Sequence, residues 1–579
     1  MARLKVGLLL LYLGLGGRLL AQQPPAFVPG PCPFLVVAPE VDGETIVCGT
    51  LDVPESRQGL SDNTITLAVA IVRSTSPSPG VPVLYFEGGP GGSAMSSAAS
   101  YWVSSGLREY ADIILLDQRG TGYSLPSLNC PEVDDPDLPA DADAEALCRE
   151  RLLREGVALA AYTSAENAAD AADLVQALDL PQVNLFGVSY GTRLALTMMR
   201  DYPERIRAVI LDAVYPPQVN GYDEQAANGA RAFEQLFADC EADAECRAAY
   251  PDLRAVFLQM IGDLNEVPMR GVDDYGDPAE LFGDTVVNEL FQLLYDTAAI
   301  PDLPLMIMAA AERDYNTYAS LGGAAPDDLT AQLEAMSDEE FDAYVAQYLS
   351  FATVEDYLAF VDTLSDDEYN DLLLEVYNQG SDISEEEQQA LDERLLALTG
   401  LASFGELYDY LAELSDDDYY ALLDEAYGVI DDSSEGMFNS VECYEEVPFN
   451  RYETAEALAA DLNPSLATAL LYDVEGMFAT CEMWGIPQAP ALENEPVTRD
   501  IPTLVLSGTY DPITPPAWGQ AAADALPRST HVVFPGVGHG AVDTLPCPTQ
   551  IALRFLEQPQ QPVDTACVAA MTPPRFTLP

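Results

Sequence analysis

Lysine is almost missing from this chain. Lys5 is the only one, and 25 Lys and Arg stand against 95 Asp and Glu, a formal net charge of −70. Such a surface repels phosphate backbones, which argues against nucleic acid as a partner. Histidine is scarce too, with only His531 and His539, and none of the ten cysteines sits in a CxxC pair. Zinc sites need such ligands in clusters, so no metal is expected, and the chemistry below calls for no organic cofactor. Long apolar runs are also lacking. The longest opens the chain: Met-Ala-Arg-Leu-Lys, then Val6 to about Leu15, then a small residue at Ala21. It is well short of the ~20 residues an anchor helix needs. It reads as a secretory signal, residues 1–21, cut near Ala21, with no cysteine at a lipid-attachment position. The expectation is a secreted or extracytoplasmic chain with no membrane association after cleavage.

Export and an even cysteine count argue for disulfides. Spacing does not fix connectivity; pairing nearest neighbours gives 32–48, 130–148, 240–246, 443–481 and 547–567. The 579 residues suggest two to four units of usual size, and 48% hydrophobic content supplies a large core. The acidic surplus suits solubility in a salty or acidic medium, and it would also attract cationic substrates.

Strand-like runs cluster at the two ends of the chain: TITLAVAIVR at 64–73, PVLYF at 82–86, DIILL at 112–116, VNLF at 183–186, AVIL at 208–211, TLVL at 503–506 and HVVF at 531–534. Helical patterns fall between, at Ser164–Leu178 and Thr192–Tyr202. Alternation of this kind, with runs apolar throughout, means a mostly parallel sheet covered by helices. The middle reads as helical and poor in strands. Residues 301–440 hold 35 Asp and Glu against Arg313 and Arg394. Three segments there repeat loosely: LEAMSDEEFDAYVAQYL from 333, VDTLSDDEYNDLLLEVY from 361 and LAELSDDDYYALLDEAY from 411. Ser337 with Glu340 and Ser365 with Glu368 fit capping boxes. SDDEY lacks the central glycine of a calcium loop, so these acids read as helix caps. The expected organisation is a sheet domain in two parts, 22–217 and 496–579, split by a helical acidic cap at 218–495.

Gly187-Val188-Ser189-Tyr190-Gly191 follows the strand VNLF and precedes a helix. A serine between two glycines at a strand-to-helix turn is a nucleophile elbow, with the helix N-terminus behind it favouring negative charge. The hydroxyl needs a base. His531 opens a strand and reads as structural. His539 lies in PGVGHG at 535–540, a loop just after that strand. Asp511, in SGTYDP at 507–512, follows TLVL and is the orienting carboxylate; Asp543 is the weaker choice. Both loops follow strands, so they meet the serine at the carboxyl edge of the sheet. The oxyanion needs two N–H donors: one from Tyr190, the other from GGPGG at 88–92, with Gly89 preferred over Gly88.

Five motifs, EGGPGGS at 87–93, DQRGTGYS at 117–124, GVSYGT at 187–192, SGTYDPITPP at 507–516 and PGVGHG at 535–540, resemble those of the tripeptidyl aminopeptidase and prolyl aminopeptidase family of serine peptidases. The likeness covers about 30–217 and 475–579. The C-terminal segment, with Cys481 and Trp484 ahead of it and Cys547 and Cys567 within it, is similar to that of secreted tripeptidyl aminopeptidases. The resemblance implies an α/β-hydrolase fold and cleavage from a free peptide N-terminus. Two features depart from the family: Glu87 stands where prolyl aminopeptidases have histidine, and the acidic repeats match nothing in it. A free N-terminus needs a carboxylate to hold its ammonium. Glu87, Glu442, Glu445 and Glu446 are the candidates, while Asp117 and Arg119 read as a structural pair beneath the site. The rivals are a secreted carboxylesterase or lipase on the same fold and a non-catalytic binding module. Oligomeric state is not legible in the sequence.

Overall fold

The β-branched run at 64–72 and the apolar runs after it become strands of one sheet. The computed structural model describes residues 25–322 and 385–579, except 99, 134–137, 140–141, 273–277, 402, 412–413, 415–418, 420–421, 424–425, 429 and 431–432. The signal segment, the repeats from 333 and 361 and both capping boxes lie outside the described residues, and the repeat from 411 is described only in part.

The described strands are β1 (Phe27–Gly30), β2 (Ile46–Pro54), β3 (Thr64–Val72), β4 (Val83–Phe86), β5 (Ile113–Leu116), β6 (Val183–Val188), β7 (Ile206–Asp212), β8 (Met269–Val272), β9 (Pro278–Leu281), β10 (Thr503–Gly508) and β11 (Ser529–Phe534). Nine of them form one sheet in the order β1-β2-β3-β5-β4-β6-β7-β10-β11. The first three are antiparallel, and β3 also meets β5 antiparallel. From β5 to β11 every neighbour is parallel. Parallel strands need crossovers, and helices Ser164–Ala177 and Tyr190–Asp201 supply two of them. The Thr163 hydroxyl caps the first by accepting the Glu166 N–H at 3.2 Å.

Alternate residues of the central strands feed opposite layers. Leu84, Phe86, Leu185 and Val209 enter one apolar cluster, while Val83, Tyr85, Phe186 and Ile210 enter the other. Burial on both faces explains why these strands read as continuous apolar runs. A third core, including Phe233, Phe257 and Leu290, lies among the helices of the middle segment, from Gly221–Ala242 onward. That segment also holds a small hairpin, β8 with β9, in a stretch the sequence suggested was strand-poor.

All five nearest-neighbour disulfides are present. Among the described residues no helix is long and apolar enough to cross a membrane.

Candidate active site

Ser189 sits between β6 and helix Tyr190–Asp201 with φ 55° and ψ −128°, a backbone conformation that L-residues rarely adopt. The turn is held by the Ser189 N–H donating to the Asp212 carbonyl at 3.1 Å and by the Thr192 hydroxyl donating to the Ser189 carbonyl at 2.6 Å. Its flanking glycines are steric necessities. A Cβ on Gly187 would strike the Gly191 carbonyl, and one on Gly191 would strike the Phe86 carbonyl. Strain at such a turn is compatible with a functional role for the residue it presents.

β4, β6, β7, β10 and β11 are parallel, so the segments after them converge on one edge. There the loops after β10 and β11 bring Asp511 and His539 together, with His539 Nδ1 3.0 Å from Asp511 Oδ2. Asp511 is fully buried, and its carboxylate is saturated. Oδ1 accepts the Ile513 and Thr514 N–H groups at 3.1 and 2.8 Å, and Oδ2 accepts the Thr514 hydroxyl at 2.6 Å. Burial pulls the His539 pKa down, but the charge and hydrogen bond of Asp511, with Asp212 behind, carry it above its ordinary value. Ser189 and His539 both line a cavity of about 940 Å³ that opens between the sheet edge and the helical segment. An imidazole fixed in this way can take a proton from a hydroxyl and return it to a leaving group.

The loop after β4 lies against the serine. A Cβ on Gly88 would come 3.0 Å from Ser189 Cβ. The Gly88 N–H is engaged, donating to Glu87 Oε1 at 2.8 Å, while Glu87 Oε2 accepts the Tyr85 hydroxyl at 3.0 Å. Glu87 therefore braces this loop as well as facing the cavity. Gly91, at φ 110°, receives helix-segment residue Ser434, whose N–H donates to the Gly91 carbonyl at 3.0 Å.

The three acids of VECYEE part company. Glu442 lines the cavity, but Glu445 and Glu446 do not. Glu446 pairs with Arg193 at 2.7 Å and accepts the Gly221 N–H at 2.6 Å. Glu445 lies 3.6 Å from Arg193 and accepts the Ser164 N–H at 2.6 Å. These two fasten the helical segment to the sheet domain, which accounts for their burial without a substrate. Glu442 differs. It is 4% exposed and takes the Tyr222 hydroxyl; its Oε2, like that of Glu445, has no hydrogen-bond partner among the described residues, but unlike Glu445 it has no arginine within ion-pair distance among them. Burial, together with the charge of Glu446, pushes its pKa up to about 8.

Asp117 and Arg119 are structural but are not a pair. Asp117 accepts the Met95 and Tyr123 N–H groups at 2.9 and 2.8 Å, and Arg119 binds Asp170 at 2.8 Å. His531 is bound to Ser507 and Gln520, away from the cavity. Asp543 takes the Ser105 hydroxyl at 2.5 Å. Three residues were not singled out from sequence. Thr514 bridges Asp511 and His539, and its spacing of three from an aspartate is a legible turn signal. Arg231 donates to the carbonyls of Thr509 and Asp511 from helix Gly221–Ala242. Asp212 ends β7 and accepts the Ala541 and Val542 N–H groups, both at 2.8 Å, just past His539.

Two family models match the chain: alpha/beta hydrolase fold over residues 81–260 and TAP-like protein over 471–567. With the sheet and elbow above, the first of them matches an α/β-hydrolase fold, mostly parallel sheet and helical insertion included. The chain's relatives by sequence include peptidases. Serine protease Hip1 of Mycobacterium tuberculosis is 27% identical over 239 residues, 36% of this chain and 44% of its own. The tripeptidyl aminopeptidase of Streptomyces coelicolor is 30% identical over 196 residues, 30% of this chain and 36% of its own. The hydrolase YuaR of Escherichia coli is 24% identical over 285 residues, 46% of this chain and 56% of its own. The chain thus spans about half the length, or less, of these relatives.

Proposed function

We propose that the protein is a secreted serine peptidase that releases amino acids or short peptides from free peptide N-termini. The observation that carries this is the bond between His539 and buried Asp511 in a cavity that also holds Ser189 and the half-partnered Glu442.

Ser189 Oγ attacks the scissile carbonyl and its proton passes to His539 Nε2. Asp511 fixes the imidazole tautomer and steadies the imidazolium. The amides of Tyr190 and Gly89 hold the oxyanion, since the Gly88 N–H is committed to Glu87. The C–N bond breaks as His539 returns the proton to the leaving amine, and water then hydrolyses the acyl-enzyme. Glu442 holds the substrate ammonium: a buried carboxylate oxygen without a donor gains most from a cation. Peptides are the partners; nucleic acid and membrane are not. The five disulfides suit an oxidising, extracytoplasmic compartment.

Ser189→Ala should cut hydrolysis of tripeptidyl and aminoacyl amides by about 10⁴-fold or more without loss of thermal stability. A substantial retained rate refutes the nucleophile. Free peptides should be cleaved and their acetylated counterparts spared. Equal rates would favour an endopeptidase, and a large preference for p-nitrophenyl esters would favour a carboxylesterase.

A further inference from the structure

A second cavity, of about 420 Å³, shares Glu87, Val188 and His539 with the main one, and Glu442 does not line it. Its walls are aromatic. The Trp102 ring lies 4.4 Å from that of Tyr85, 4.9 Å from Tyr101 and 6.3 Å from Phe186. Two polar atoms on its lining residues have no partner among the described residues: Trp102 Nε1–H and Asp212 Oδ1. Both side chains are 1% exposed. Asp212 uses its other oxygen to hold the backbone just past His539. The cavity thus has a buried floor with one orphan donor and one orphan acceptor, while Tyr101 and Thr544 on its rim are exposed.

Buried polar groups are nearly always satisfied, so two orphans among the residues that line one cavity call for a ligand that completes them. The position says which ligand. In acyl transfer His539 protonates the departing amine, so the leaving side of the substrate must border His539. If the acyl side extends toward Glu442, the leaving side extends the other way, and the exposed rim lets the rest of the peptide run out to solvent. We propose that this cavity binds the first residue beyond the scissile bond and selects a flat aromatic side chain with a hydroxyl, as in tyrosine. The ring packs among Trp102, Tyr101 and Tyr85, and the hydroxyl can accept from Trp102 or donate to Asp212. This rests on the acyl-transfer reading above.

Acyl acceptors test the cavity without requiring peptide cleavage. The acyl-enzyme is formed from a tripeptide p-nitrophenyl ester and offered tyrosinamide, phenylalaninamide or alaninamide. Tyrosinamide should capture the acyl group about tenfold better than alaninamide and severalfold better than phenylalaninamide. Trp102→Phe keeps the ring and removes the N–H, so the tyrosine-to-phenylalanine ratio should fall to about one. Equal capture of all three by the native protein overturns the proposal. If the ester is not turned over, the serine-peptidase reading fails instead. Calorimetry of Ser189→Ala with the same amides then decides the cavity: tyrosinamide bound more tightly than alaninamide supports it, and no difference sinks it.

Discussion

The cavity has two walls, and each has its buried carboxylate: Asp511 behind the lining residue His539, and Glu442 in the lining itself. On the sheet wall, Asp511 receives two backbone N–H groups, a hydroxyl and an imidazole. On the helical wall, among the described residues, Glu442 has one hydroxyl donor and one oxygen with none. A saturated carboxylate is committed to its own protein, where it orients a neighbour. A half-satisfied one keeps its pKa high and has free energy to gain from an arriving cation. In the function proposed above the contrast separates machinery from recognition, and it can be broken from either side.

The largest expected effect is on the sheet wall. Asp511→Asn keeps the shape but presents an amide where an acceptor is needed, so the imidazole loses its tautomer. The acyl-transfer rate, read as kcat, should fall about 10⁴-fold, with KM changed little. A drop below tenfold would mean that Thr514 or Asp212 orients His539 instead.

Next is the joint between the walls. Arg193, 2% exposed, neutralises Glu446 and lies beside Glu445. Arg193→Met leaves two buried carboxylates without their cation and should cost about 3–5 kcal/mol of stability, read by denaturant unfolding. Loss of peptide affinity with unchanged stability would restore Glu445 and Glu446 as substrate ligands.

This joint also marks where sequence reading stops. Ser189, Asp511 and His539 were legible because each follows an apolar run, and parallel strands bring such loops to one edge whatever their separation. The partnership of Arg193 with Glu446 spans 253 positions and has no local pattern. VECYEE therefore showed three equivalent acids, and only the docking of the helical segment makes Glu442 different. β1 and β2 escaped notice for another reason. In β2 the buried Ile46, Leu51 and Val53 are interrupted by Gly49, Thr50 and Asp52, which read as loop residues. Pairing with β3 along nine positions supplies what composition does not. Asp212 was lost by one residue, since the run was read to end at Leu211.

A smaller effect belongs to the helical wall. Glu442→Gln keeps the volume and removes the ability to ionise when an ammonium arrives. KM for free peptides should rise about 30-fold, while esters lacking an ammonium are unaffected. The same change should alter stability with pH. A carboxyl whose folded pKa is raised from 4.5 to about 8 is protonated in the fold and ionised in the unfolded chain between those values. Folded stability therefore falls as pH rises through that window, and Glu442→Gln should flatten the decline. Parallel melting curves from pH 5 to 8 for both proteins would leave Glu442 without a special role. On the sheet wall, raised His539 places the acid limb of kcat/KM above the ordinary histidine range of about 6.5, with activity rising as the ring deprotonates.

The smallest effect tests whether the walls are independent. Arg231 belongs to helix Gly221–Ala242 on the helical side, yet its guanidinium donates to the carbonyls of Thr509 and Asp511. It touches no carboxylate in the cavity and acts by holding the loop that carries one. Arg231→Met removes those donors but keeps much of the apolar stem, so the loop loosens without losing its own turn bonds from Ile513 and Thr514. The expected result is a threefold to tenfold fall in kcat, about 1 kcal/mol, with KM for free peptides unchanged, because Glu442 is untouched. A rise in KM at constant kcat would reverse the assignment: the helical segment would then be setting recognition through Arg231, and the two walls would be one coupled unit.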